Sequence, residues 1–79
     1  MPTLLQNEGY RFFFYSNENS EPIHVHVEKG SAAAKIWLEP ILKVAYFYGF
    51  SSSEKKAVLR IVESNIETFK SKWNEFFSK

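Results

Sequence analysis

A chain of 79 residues supports one domain, and a domain this small buries only about two-thirds of the surface its unfolded form exposes. With no cysteine it has neither a disulfide framework nor a thiolate zinc site, so an aromatic content of 18% must help to build the core. A formal net charge of +1 excludes a global pull toward nucleic acid and leaves only local patches for such contacts. No apolar run approaches the roughly 20 residues that span a bilayer, and the start Met1-Pro2-Thr3-Leu4-Leu5-Gln6 lacks a signal-peptide pattern. A soluble, cytoplasmic protein with no membrane partner is expected.

The first half of the chain reads as strands and the second as helix, an α+β organisation. Thr3 to Asn7 is a short first strand before a turn at Glu8-Gly9. Tyr10 to Ser16 is a second, rich in residues that suit a pleated surface. The polar segment Asn17 to Pro22 is a loop, and Ile23 to Glu28 is the third strand. A two-residue turn at Lys29-Gly30 would set Glu28 opposite Ser31, His26 opposite Ala33 and His24 opposite Lys35. The same parity puts Ile23, Val25, Val27, Ala32, Ala34, Ile36 and Leu38 on one face. His24, His26, Glu28, Lys35, Trp37 and Glu39 fall on the other.

Glu39-Pro40 closes the fourth strand, and Leu42 to Tyr48 forms a fifth strand or an irregular edge. Ser51 with Glu54 fits a capping box. Val58, Val62, Ile66, Phe69, Trp73 and Phe76 then recur at spacings of four and three, which predicts an apolar stripe along one helix or two. Ser64-Asn65, both of mediocre helix propensity, is a weak point that leaves one long helix or two shorter ones open. The expected architecture is a mainly antiparallel sheet of three to five strands within residues 3–48, covered on one face by a C-terminal helix or helix pair over 51–78. The bulk of Phe69, Trp73, Phe76 and Phe77 exceeds what so small a sheet covers, so a homodimer or a second protein would take the excess.

The third strand, Ile23 to Glu28, carries the chain's two histidines, which alternation places about 7 Å apart on one face. Three readings follow. As metal ligands, His24, His26 and Glu28 form a row suited to a divalent ion, although a straight strand points them in parallel rather than inward. As catalysts without metal, His24 and His26 suit the general base and general acid of RNA cleavage, with Arg11 and Lys35 stabilising the phosphate and Tyr15 stacking or donating a proton.

The third reading is a binding surface. An unpaired buried arginine is costly, so of the two sides of Tyr10 to Tyr15 the one with Arg11, Phe13 and Tyr15 is the exposed one. It shares its face with His24, His26, Lys35 and Trp37, and such a mixture of rings and cations suits protein or RNA. A helix-turn-helix is not supported, because no second turn or basic recognition helix follows Gly49-Phe50-Ser51.

Gly9 to Glu18, His24-Val25-His26-Val27, Ala34 to Leu38, Gly49-Phe50-Ser51 and Trp73 to Phe77 together resemble the small prokaryotic family called domain-of-unknown-function 4160. The resemblance runs through nearly the whole chain in order. It departs at Ile23, where the family pattern has a second proline. The family carries no assigned activity, catalytic residue or cofactor. Its members often lie beside a gene for another small protein, which implies a toxin-antitoxin-like pair with that neighbour as partner.

Overall fold

The computed structural model describes residues 3–15 and 20–77. Five strands, β1 (Thr3–Asn7), β2 (Tyr10–Phe13), β3 (His24–Lys29), β4 (Ala32–Trp37) and β5 (Lys43–Tyr48), form one antiparallel sheet in sequential order, and a single helix α1 (Ser52–Phe77) follows. The α+β class is thus as the sequence indicates, with all five strands formed and one helix rather than two. No helix among the described residues is long and apolar enough to cross a membrane.

Turn chemistry fixes the register. Glu8 and Gly9 both have positive φ, 56° and 86°, the signs a type I′ turn needs between β1 and β2. At the next hairpin the loop is Gly30-Ser31 rather than Lys29-Gly30: Lys29 pairs with Ala32, Glu28 with Ala33, His26 with Lys35 and His24 with Trp37. The expected pairing is therefore displaced by two residues. Glycine belongs at the first central position of a type II′ turn, where Gly30 has a φ of 60°, and a Lys29-Gly30 loop would have forced lysine there. A shift of two preserves alternation, so every residue stays on its assigned face.

The core lies between the inner face of the sheet and the helix. Phe12, Val25, Val27, Ala34, Ile36 and Leu38 meet Val58, Ile61, Val62 and Phe69, and the Phe12 ring stacks on Phe69 at 5.7 Å. One correction concerns the helix. Ile61, outside the predicted stripe, is buried, whereas Phe76 is exposed. Of the two alternatives left open at Ser64-Asn65 the single helix is the one formed; the Asn65 side-chain amide donates to the Ile61 carbonyl at 2.9 Å, one turn back. The start is as the sequence predicts: the Ser51 amide donates to Glu54 Oε1 at 2.9 Å and the Glu54 amide to Ser51 Oγ at 3.2 Å.

β2 ends at Phe13, three residues before its expected end at Ser16, which lies outside the described residues. Phe14 then turns its ring to the helix, 5.2 Å from Trp73, 5.4 Å from Phe76 and 5.2 Å from Phe77. Much of the aromatic excess expected to need a partner is absorbed within the chain by this one residue.

Candidate functional site on the outer face of the sheet

The face turned from the core is built from alternate residues of adjacent strands. Arg11 pairs with Glu28, Phe13 with His26, His26 with Lys35 and His24 with Trp37, so seven of the predicted site residues do share one surface. Tyr15, just past β2, joins them: its ring meets His26 at 4.8 Å and Phe13 at 5.3 Å, edge-on in both contacts.

The depth of this face differs from the expectation. Phe13 and His26 are only 3% and 8% exposed, and the His24 side chain is fully buried. Side chains folded flat on the sheet supply a second layer. The Arg11 guanidinium lies 4.4 Å above the Phe13 ring, the Lys35 ammonium lies 4.3 Å above Trp37, and Tyr15 leans on His26.

At the end of the sheet, His24 meets Trp37 at 5.2 Å and also Trp73 of the helix at 5.1 Å. The idea that both imidazoles point away from the helical layer therefore fails for His24, although the valines beside it face inward as predicted. The reason is the reach of indole: Trp73 closes the end of the layer that alternation alone leaves open.

The hydrogen bonds define the chemistry available. His24 Nδ1 donates to the Pro22 carbonyl at 2.9 Å, which fixes its proton on that nitrogen, and Glu21 Oε1 lies 4.0 Å away. Glu21 also accepts from Lys35 Nζ at 2.9 Å, and Glu28 accepts from Arg11 at 2.7 Å, while Arg11 Nε donates to Thr3 Oγ1 at 3.0 Å. Both predicted phosphate-stabilising cations thus have carboxylate partners. The row His24, His26 and Glu28 does not converge, since Glu28 is turned to Arg11; among the described residues no three potential ligands gather as a metal site would require.

Accessible apolar groups flank these ion pairs. Trp37 lines a cleft of about 330 Å³ with Pro22, Glu39, Pro40, Ile41 and Lys43, beside a cis Glu39–Pro40 peptide. Ile41, Tyr46 and Tyr48 are 67%, 47% and 68% exposed. Tyr46 stands opposite Lys35 and Tyr48 opposite Ala33, so both extend the outer face across β5. Sequence reasoning missed these residues, along with Glu21 and Trp73. The alternation of Tyr46 and Tyr48 was the available signal for two of them; nothing local announces the contact of Trp73 with His24.

A family model matches residues 9–74, most of the chain. The chain belongs to the DUF4160 family, a domain of unknown function. The match takes in β2 to β5 and the helix as far as Asn74, and so includes every residue of the outer-face cluster. No curated protein and no solved structure is significantly similar to the chain.

Proposed function

We propose that the protein is a binding module, one component of a toxin-antitoxin-like pair, that docks a small partner protein from the adjacent gene on the outer face of its sheet. The observation that carries this reading is the pairing of exposed aromatic and apolar groups, Tyr15, Tyr46, Ile41 and the Trp37 cleft, with cations already neutralised by Glu21 and Glu28. Aromatic residues and buried-rim arginine are what protein interfaces enrich, whereas phosphate capture needs uncompensated positive charge.

RNA cleavage by His24 and His26 is disfavoured on the same grounds. A ribose hydroxyl must come within hydrogen-bond reach of its base, and the His24 side chain is sealed between two indoles.

The test is native mass spectrometry of the protein co-expressed with its neighbouring gene product. A stable complex is expected, and Trp37→Ala should weaken it at least about tenfold, since central aromatic anchors dominate binding. Absence of a complex, together with RNA hydrolysis that disappears in the folded His24→Ala/His26→Ala variant, would replace this reading with the nuclease.

A further inference from the structure

From the free edge of β5 we infer that two copies of this chain pair antiparallel through that strand, joining their sheets into one of ten strands. Among the described residues β5 ends the sheet, leaving a row of backbone N–H and C=O groups along one side. At the opposite edge β1 packs against the helix, and its turn is tied to α1 by Arg60 donating to both oxygens of Glu8 at 3.2 and 3.0 Å. In β5, Lys43 is the one charged residue, followed by Val44, Ala45, Tyr46, Phe47 and Tyr48. Three of the most exposed large apolar side chains, Ile41, Tyr46 and Tyr48, lie on this strand or two residues before it.

The occupant is argued from self-complementarity. The register shifts between Lys35 and Ile36, which pair with Tyr46 and Val44, so Ala45 is an extra residue on β5. Strict alternation would send Lys43 and Tyr48, five residues apart, to opposite faces. The bulge instead puts both on the outer face, opposite Trp37 and Ala33, while Val44 and Phe47 share the inner one. A two-fold axis normal to the sheet then sets Lys43 against Tyr48 of the second copy, and Val44 against its Phe47, with no side chain on the wrong face.

Each half of this contact is incomplete in one chain. Among the described residues Lys43 has no acidic partner and lines the Trp37 cleft, whereas Tyr48, 68% exposed, is the most exposed large apolar group. The chain already sets lysines over rings in Lys29 on Tyr10 at 4.8 Å, Lys35 on Trp37 at 4.3 Å and Lys55 on Phe47 at 5.7 Å. Antiparallel pairing makes that contact twice, once at each end. This inference rests on the strand edge and not on the partner-binding reading, so either can fail alone.

Sedimentation equilibrium from about 1 µM to about 1 mM covers the affinities expected of interfaces below standard size. The expected result is a reversible rise from 9.3 kDa to roughly twice that mass. Tyr48→Lys, which sets like charges across the axis, should weaken the dimer at least about tenfold while leaving the far-ultraviolet circular dichroism unchanged. The cysteine-free background gives a register test: Lys43→Cys mixed with Tyr48→Cys should form a mixed disulfide in preference to either like pair. A mass of one chain throughout would overturn the proposal. So would a dimer indifferent to Tyr48→Lys, or one in which like cysteines cross-link as readily as the mixed pair.

Discussion

His24 behaves as a core residue that happens to be ionisable. Its ring touches Trp37, Trp73 and His26 at 5.0 to 5.2 Å, and its Nδ1 proton is held by the Pro22 carbonyl. Removing it leaves a cavity between two indoles and a carbonyl without its donor. His24→Ala should therefore cost about 2–4 kcal/mol, a large part of the ~4–12 kcal/mol expected for a domain of this length. Urea unfolding of the variant checks this; a loss below about 0.5 kcal/mol would mean that the imidazole is not part of the core. Phe12→Ala, deleting a fully buried ring stacked on Phe69, should cost about 3–5 kcal/mol and leave little folded protein at 37 °C. By contrast the exposed Tyr46 and Tyr48 tolerate substitution with no loss of fold, which is why they serve to probe the surface.

At the level of elements, the helix start carries the most specific prediction. Its two reciprocal bonds satisfy backbone donors that would otherwise lack partners, and Ser51→Ala should lower stability by about 1 kcal/mol. The Glu54 carboxyl is held below its ordinary value, chiefly by the backbone N–H of Ser51, against a smaller effect of desolvation. A carboxyl depressed in the folded state stabilises it above the unfolded value, and that contribution disappears as pH falls through the lowered one. Glu54→Gln should therefore flatten the loss of stability on acidification below about pH 4.5, compared by urea midpoints at matched pH. A variant that tracks the parent at every pH would show that this cap does not couple to folding. The β3–β4 hairpin teaches a related lesson: Gly30 selects the register through the sign of one dihedral angle, and the displacement by two leaves the faces untouched.

Across the whole molecule, sheet and helix unfold as one unit if the contacts at His24 bind them together. Trp37 belongs to β4 and Trp73 to α1, yet both rest on the same imidazole. The fluorescence of these two tryptophans and the helical signal in circular dichroism should follow one coincident urea transition. A fluorescence change that precedes loss of helix would instead show the C-terminal turns separating first, with Phe14 uncovered beneath them. The outer face follows the same principle of internal satisfaction, because Arg11 and Lys35 lie on rings and end on carboxylates.

Alternation, turn signs and the spacing of apolar residues are local, and they were legible in the chain itself. From them follow an antiparallel sheet of three to five strands, the capped helix, the inward valines and the shared face of Arg11, Phe13, His24, His26, Lys35 and Trp37, while the fifth strand is settled only by its pairing with β4. Depth is not local. Whether that face is open or covered depends on where Tyr15, Glu21 and Trp73 arrive, and each comes from outside the strands that build it. A period of two assigns a side chain to a side, whereas its exposure is set by whatever else the folded chain brings to that side. For this reason the sequence determined which residues share a face, and only tertiary packing decided that the histidines are interior while the tyrosines of β5 meet solvent.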